Sequence, residues 1–231
     1  MLERHGLSTI ASRRRWVPLA LGLVSGVAIS LALGLALSRA PSGDEPAELT
    51  DSQTYTGTAL DGPAPDFQLV DQRGERVKLS DFRGRVVVLS FLDPYCDDVC
   101  PLTVLHLRRA QQALGEEADD VVFLAVNANP RATAVNDVAE ATRRWGLESM
   151  PNWYFLTGEE HELRAVWQAY WVEVSVGADG DVTHTPGVFL IDAAGQRRRY
   201  FYTPFEDERW SGPLLSEFLV DHIRQLRAAE G

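Results

Sequence analysis

The apolar residues of this 231-residue chain fall into two kinds of pattern. An uninterrupted run without a charged residue occupies residues 16–37, whereas beyond residue 62 shorter apolar runs alternate with segments of helical periodicity. Continuous β-branched runs are typical of strands covered on both faces, and apolar positions three and four apart predict helices. The segment between these regions, residues 38–62, is polar and has neither pattern, which predicts a flexible linker.

The folded domain, residues 63–231, is predicted to alternate strands and helices. Alternating residues at 66–70 and 76–79, on either side of a turn, predict a β-hairpin at its start. The elements predicted after it are strands at 85–91, 121–126, 152–156, 187–192 and 198–202, and helices at 101–114, 134–145, 159–169 and 213–228.

This order predicts an α/β fold with a mixed sheet flanked by helices. Strand–helix–strand alternation requires crossover connections and parallel strands, and the late hairpin adds antiparallel ones. A thioredoxin-like fold with an N-terminal β-hairpin extension satisfies the order. The chain has neither a G-x-G-x-x-G segment after a strand nor a phosphate-binding G-x-x-x-x-G-K-[S/T] segment, so nucleotide binding is not expected.

The apolar run at residues 16–37 is predicted to be a transmembrane helix. At 1.5 Å per residue it reaches about 33 Å, enough to cross the hydrocarbon core of a membrane. Three arginines at 13–15 precede it and Arg39 alone follows, which places residues 1–15 in the cytoplasm and the C-terminal domain on the periplasmic side of the inner membrane. The alternative is a cleaved signal peptide ending near residues 38–40, although its apolar region would be unusually long.

Charge and cysteine content exclude several classes of protein. The chain has 22 basic and 33 acidic residues, for a formal net charge of −11. Proteins that neutralise phosphates need a basic surface, so no nucleic-acid partner is expected. Two cysteines are too few for a disulfide framework or for a four-cysteine zinc site within one chain. An acidic domain instead suits cationic partners or metal ions.

The two cysteines, Cys96 and Cys100, follow the strand predicted at 85–91 and open the next helix. Their C-x-x-x-C spacing is about one helical turn, so both sulfurs can share one face. The start of a helix favours thiolates, whereas Asp97 and Asp98 oppose further negative charge. A bound cation would remove this conflict, which favours a metal site over a free thiolate. A structural disulfide between Cys96 and Cys100 is the alternative.

His184 is the histidine predicted to join the two cysteines. It precedes the strand predicted at 187–192, in a loop that faces the start of the cysteine-bearing helix in a thioredoxin-like sheet. Two thiolates and one imidazole form a soft ligand set that suits copper(I) and can also hold copper(II). The remaining histidines are expected to be surface or core-edge residues: His5, His106, His161 and His222.

At these residues the chain resembles the Sco/SenC family of membrane-anchored copper chaperones for cytochrome c oxidase. The resemblance rests on residues 96–101 (Cys-Asp-Asp-Val-Cys-Pro), on residues 79–87 and on His184 ahead of a buried strand. It implies that Cys96, Cys100 and His184 bind copper. It also implies delivery to subunit II of the oxidase or another copper-accepting protein, or reduction of the cysteines of that copper site.

Some residues depart from the family pattern and favour a competing hypothesis. The chain has Asp-Pro-Tyr at 93–95 before Cys96, and Asn127 where an acidic residue is usual. Pro186 stands where thioredoxins place a cis-proline opposite their cysteines, which indicates thiol–disulfide chemistry. In that hypothesis the protein is an exported thiol–disulfide oxidoreductase in which Cys96 attacks and Cys100 resolves. A third hypothesis is an anchored assembly factor that acts through its acidic face.

Overall fold

The computed structural model describes residues 57–203 and 214–230. The predicted transmembrane helix at 16–37, its basic flank at 1–15 and most of the predicted linker at 38–62 lie outside these residues. Within the described ranges, no helix combines the length and the hydropathy needed to cross a membrane.

The described residues form ten strands and four α-helices, numbered here in chain order. The strands are β1 (Thr58–Ala59), β2 (Gln68–Val70), β3 (Arg76–Lys78), β4 (Val86–Leu92), β5 (Val121–Asn127), β6 (Trp153–Leu156), β7 (Val174–Val176), β8 (Val182–His184), β9 (Val188–Ile191) and β10 (Arg197–Phe201). The helices are α1 (Val99–Leu114), α2 (Val135–Arg144), α3 (Glu160–Ala169) and α4 (Leu215–Glu230), and short 3₁₀ helices lie at Leu79–Phe82 and Gly115–Asp120.

A six-stranded sheet in the order β1-β10-β9-β4-β5-β6 forms the centre of the fold. The β4–β5 and β5–β6 pairs are parallel, and the pairs of β9 with β4, β10 with β9 and β1 with β10 are antiparallel. The mixed sheet predicted from the element order is therefore confirmed. Thr58 and Ala59, which fall in the range predicted to be linker, pair with Tyr200 and Arg199, so the sheet begins before residue 63.

Two further hairpins stand apart from this sheet. The β2–β3 hairpin is the predicted N-terminal extension and pairs Leu69 with Val77. The β7–β8 hairpin, which ends in His184, was not predicted. Its residues are exposed or only half-buried, so it lacks the run of buried apolar positions that predicts a strand.

Apolar cores cover both faces of the central sheet. All seven residues of β4 and all seven of β5 are buried, as the continuous apolar runs predicted. Alternate residues of β4 enter opposite cores: Val86 and Val88 pack with α1 and α4, whereas Val87 and Leu89 pack with α3. Helices on both faces leave the carboxyl ends of β4 and β5 free to carry the loops of the site.

Candidate metal and thiol site

Cys96 and Cys100 lie where β4 ends and α1 begins. The helix starts at Val99, two residues earlier than predicted, so Cys100 lies in its first turn and is 1% exposed. Cys96 is half-buried in the preceding loop, where its backbone N–H donates to the carbonyl of Asp93 at 3.2 Å. The backbone N–H of Cys100 donates to Cys96 Sγ at 3.4 Å. Both sulfurs are thus held at the start of the helix.

His184 reaches this position from the end of β8. Its Nε2 lies 3.6 Å from Cys100 Sγ, although the two residues are 84 positions apart. Its Nδ1 lies 3.2 Å from the carbonyl oxygen of Thr185. A carbonyl oxygen can only accept, so Nδ1 carries the proton and the lone pair of Nε2 faces Cys100. Burial lowers the pKa of His184, which keeps the ring neutral at pH 7.

The two thiols differ in acidity. A hydrogen bond from the Cys100 thiol, supported by backbone N–H groups, lowers the pKa of Cys96 to about 6. The same hydrogen bond, together with burial, raises the pKa of Cys100 above its ordinary value. Both cysteines are free thiols in the structure. At neutral pH the pair therefore holds one thiolate, at Cys96, and one thiol, at Cys100.

The negative charge of Asp98 opposes the Cys96 thiolate, as the sequence predicts. Hydrogen bonds to the sulfur nevertheless outweigh that charge, because the net result is a lowered pKa for Cys96. A bound cation is therefore not needed to make this thiolate. The preference for a metal site over a free thiolate therefore rests on the donor set rather than on this conflict of charges, and it stays a prediction.

Cys100 contacts each of the other two candidate ligands. His184 contacts Cys100, whereas the sulfur of Cys96 accepts from the backbone N–H of Cys100. Within the ranges that the structure describes, no three His, Cys, Asp or Glu side chains are grouped closely enough to hold a metal ion. The donor chemistry still suits copper(I), since two sulfurs and an imidazole nitrogen with a free lone pair are soft ligands.

The other described histidines lie away from the site. His161 is exposed on α3. His222 is 9% exposed on α4, with Nδ1 2.9 Å from the carbonyl oxygen of Phe218. His106 was expected at the surface or the core edge, but it is fully buried on α1. His5 lies outside the described residues.

The peptide bond before Pro186 is trans, unlike the cis-proline that thioredoxins place there. The carbonyl of Pro186 accepts a hydrogen bond from the Tyr200 hydroxyl at 2.7 Å, which ties the loop after His184 to β10. Pro186 therefore gives no support to thiol–disulfide chemistry, and that hypothesis has to rest on the cysteines themselves.

The sequence marked Asp93 and Asn127 only as departures from the family pattern, and it did not show that they belong to a buried polar cluster behind the cysteine loop. Asp93 is 6% exposed, and its Oδ1 accepts from the backbone N–H of Tyr95 and from Asn129 Nδ2, each at 2.8 Å. Asn127 is fully buried, and its Oδ1 accepts from the backbone N–H of Asn129 at 2.8 Å. Their position in the sequence could have indicated the cluster. These residues directly follow two buried strands, at the edge of the sheet where α/β proteins place their sites.

Comparison with known proteins shows the family of this chain. A family model described as SCO1/SenC matches residues 56–212. The chain belongs to the SCO1/SenC family. A curated relative, the SCO2-like protein RP587 of Rickettsia prowazekii, is 25% identical over 142 residues, which cover 59% of this chain and 67% of the relative.

Solved structures of SCO1/SenC proteins share the fold. A family lipoprotein from Bacillus anthracis superposes with a TM-score of 0.64 at 22% identity, over 74% of this chain and 98% of the other. Copper-bound ScoI of Arabidopsis thaliana gives a TM-score of 0.60 at 22% identity, over 72% and 99%. BsSco belongs to the Sco family of cytochrome c oxidase assembly proteins and has a disulfide switch; it gives 0.60 at 20% identity, over 73% and 95%.

Two further proteins similar to this chain are named for thiol chemistry. The thioredoxin domain of a thiol–disulfide oxidoreductase from Bacteroides vulgatus gives a TM-score of 0.51 at 18% identity, over 73% of this SCO1/SenC chain and 97% of that domain. Peroxiredoxin Bcp of Escherichia coli is 28% identical over 138 residues, covering 60% of this chain and 81% of the relative. The predicted thioredoxin-like fold is confirmed.

Proposed function

We propose that this protein is a copper-binding metallochaperone for assembly of the copper site of cytochrome c oxidase, with Cys96, Cys100 and His184 as ligands. The observation that carries the proposal is the 3.6 Å contact between Cys100 Sγ and His184 Nε2, which joins two separate elements. A copper-bound ScoI and a Sco protein of the oxidase assembly group share the fold, which supports the proposal.

The protonation states of the three side chains suit a soft cation as cargo. The lowered pKa of Cys96 supplies a thiolate at neutral pH, and neutral His184 supplies a lone pair. Cys100, whose pKa is raised, has to lose its proton when copper binds. Binding therefore releases a proton and weakens as pH falls. Copper(I) prefers thiolate and imidazole ligands, which makes it the favoured cargo.

The remainder of the chain fits delivery at a membrane. The apolar run at 16–37 would anchor the domain on the periplasmic side of the inner membrane, and one solved relative is a lipoprotein. The chain carries a net charge of −11, which suits a partner with a basic docking surface. We propose subunit II of the oxidase, or another copper-accepting protein, as that partner.

Anaerobic copper(I) titration of the reduced full-length protein, in competition with a chelator, tests the proposal. We expect a single tight equivalent in the native protein and none after Cys96→Ser combined with Cys100→Ser. His184→Ala should weaken binding by about 10- to 100-fold, because it removes one ligand and keeps two. His161→Ala, at an exposed histidine on α3, is the matched control and should change nothing. Stoichiometric copper in the double variant would contradict the proposal.

A thiol–disulfide oxidoreductase is the second candidate, and the asymmetry of the cysteines favours it. Cys96 is half-buried and has a lowered pKa, whereas Cys100 is buried one helical turn behind it. In this reaction the Cys96 thiolate attacks a partner disulfide, forms a mixed disulfide and releases one partner thiolate. Cys100 then loses its proton and attacks Cys96 Sγ, so the second partner sulfur leaves as a thiolate, takes up a proton, and a Cys96–Cys100 disulfide forms. The partner gains two electrons and the pair loses two.

Trapping of a mixed disulfide tests the thiol–disulfide oxidoreductase hypothesis. Cys100→Ser removes the resolving thiol, so a mixed disulfide with an added disulfide substrate should accumulate at Cys96 and be visible by intact mass. Cys96→Ser should accumulate none, because buried Cys100 with its raised pKa is a poor nucleophile. Equal trapping in both variants would contradict the assignment of Cys96 as the attacking residue, and none in either would rule out the exchange reaction.

A further inference from the structure

The β7–β8 hairpin that carries His184 is joined to the rest of the fold at few points. It pairs only with itself, and its residues are exposed or half-buried. At its base, the Thr185 backbone N–H donates to the carbonyl of Glu173 at 3.0 Å. Isolated two-stranded hairpins are marginally stable in water, so the position of His184 depends on further contacts.

Apart from the contacts at its base, the hairpin at residues 174–184 has two polar contacts with other parts of the described structure. One is the contact of His184 with Cys100. The other lies at the tip of the hairpin, where Arg131 Nη1 donates to the carbonyl of Gly180 at 3.0 Å. Val174 also packs against the core on the α3 face of the sheet, close to the base of the hairpin. The tip contact is therefore the hydrogen bond that can hold the far end of the hairpin without using the candidate ligands themselves.

The hairpin tip is shaped to receive Arg131. Gly180 has a φ of +95°, which disfavours any other residue, and a Cβ atom placed there would lie 2.3 Å from Arg131 Nη1. The glycine thus allows both the turn and the close approach of the guanidinium group. Arg131 itself lies in the loop after β5, next to the buried polar cluster.

Asn129 connects Arg131 to the cysteine loop. The Arg131 backbone N–H donates to Asn129 Oδ1 at 2.8 Å, and Asn129 Nδ2 donates to Asp93 Oδ1 at 2.8 Å. The same oxygen of Asp93 accepts from the backbone N–H of Tyr95, the residue before Cys96. Asn129 is 5% exposed, so its hydrogen bonds are shielded from water and costly to lose.

We infer that Arg131 and Asn129 are positioning residues, which hold the hairpin of His184 against the cysteine loop and so set the affinity of the site for copper(I). The hydrogen bonds of Asn129 connect the loop of Cys96 to the loop after β5, which contains Arg131. The side chain of Arg131 then connects the loop after β5 to the hairpin tip. The consequence for copper rests on the proposed function, whereas the attachment of the hairpin does not.

Hydrogen exchange on the copper-free, reduced full-length protein tests the attachment. Arg131→Ala should speed exchange of the hairpin amides by about tenfold, since it removes the tip contact and leaves the backbone N–H to Asn129 in place. Arg131→Lys should restore most of the protection, because an ammonium group can also donate to the Gly180 carbonyl. Arg164→Ala, at an exposed arginine paired with Glu160 on α3, is the matched control. Unchanged hairpin exchange in Arg131→Ala would overturn the inference.

Copper(I) titration tests the consequence. Arg131→Ala should weaken affinity by about tenfold, and Asn129→Ala by at least as much, with Arg131→Lys close to the native protein. Combined with His184→Ala, Arg131→Ala should have no further effect, because the ligand that it positions is gone. An equal loss in both backgrounds would indicate a merely structural role and overturn the inference. If the native protein binds no copper, the proposed function fails, and the exchange experiment alone decides the attachment.

Discussion

At the scale of single residues, Cys96 derives its acidity from a residue four positions further along the chain. The hydrogen bond from the Cys100 thiol is the largest cause of the lowered pKa of Cys96, ahead of the backbone N–H groups. Burial and the charge of Asp98 act in the opposite direction. A change at Cys100 therefore alters the chemistry of Cys96 as well as removing one sulfur from the site.

Alkylation of Cys96 by iodoacetamide should follow this dependence. In the reduced native protein we expect the rate to rise with pH through about 6 and then level off, since only the thiolate reacts. Cys100→Ala removes the hydrogen-bond donor, so the pH midpoint of the alkylation rate should move up toward the ordinary cysteine pKa. Cys100→Ser keeps a hydroxyl donor, so its midpoint should lie between those of the native protein and Cys100→Ala. Mass spectrometry of the alkylated peptide measures each rate.

The urea-unfolded protein is the control for that experiment, because both cysteines should then titrate near their ordinary value. A native midpoint equal to the unfolded one would show that the hydrogen bond from Cys100 does not stabilise the Cys96 thiolate.

At the scale of elements, the joint between the hairpin and the central sheet depends on Gly187. This residue precedes β9 and has a φ of +156°. A Cβ atom placed on it would lie 2.4 Å from Tyr200 Oη, whose hydroxyl donates to the Pro186 carbonyl. The absence of a side chain at residue 187 therefore lets β10 fix the loop that follows His184.

Gly187→Ala should destabilise the fold by about 3 kcal/mol, because it adds an overlap with Tyr200 to an unfavourable backbone conformation. Gly74→Ala is the matched control: its φ is +87°, but no atom lies within 4 Å of the added Cβ, so only about 1 kcal/mol is expected. Urea unfolding of the two variants measures the difference. Equal losses of unfolding free energy in the two variants would show that the overlap with Tyr200 adds nothing to the cost of the backbone conformation.

Most elements could be predicted from the sequence, because the central strands are continuously apolar and the helices have a clear periodicity. The β7–β8 hairpin could not, since it buries too little apolar surface to leave a pattern. The spacing of Cys96 and Cys100 pointed to their common position at the helix start. The contact of His184 with Cys100 could be found only in the folded structure. The role of Asn129 could be recognised only from its hydrogen-bond partners, because one asparagine in a loop has no distinctive sequence signal.

At the scale of the whole molecule, the site lies at one edge of a sheet that is packed on both faces. Cys100 belongs to the core shared by β4, α1 and α4, whereas α3 closes the opposite face. The base of the site is thus part of the main core, and His184 stands on a hairpin outside it. The two sides of the site are therefore held by different parts of the fold.

The apolar segment at 16–37 leads to a prediction about how the 231-residue chain is held at a membrane. If it is an uncleaved anchor, the membrane-extracted protein should have the full mass of 25.6 kDa and resist alkaline carbonate extraction. Removal of residues 1–37 should leave a domain that no longer sediments with membranes. A native mass that corresponds to cleavage after residue 40 would identify a signal peptide instead.

The 84 positions between Cys100 and His184 impose an order of events on each new molecule. Both cysteines emerge from the ribosome, or from a translocation pore, well before the histidine does. A chain in transit therefore presents two thiols without the imidazole, and His184 reaches Cys100 only after the sheet and its hairpin have formed. On the proposed function, tight copper(I) binding then requires a completed fold, which misfolded or truncated copies lack.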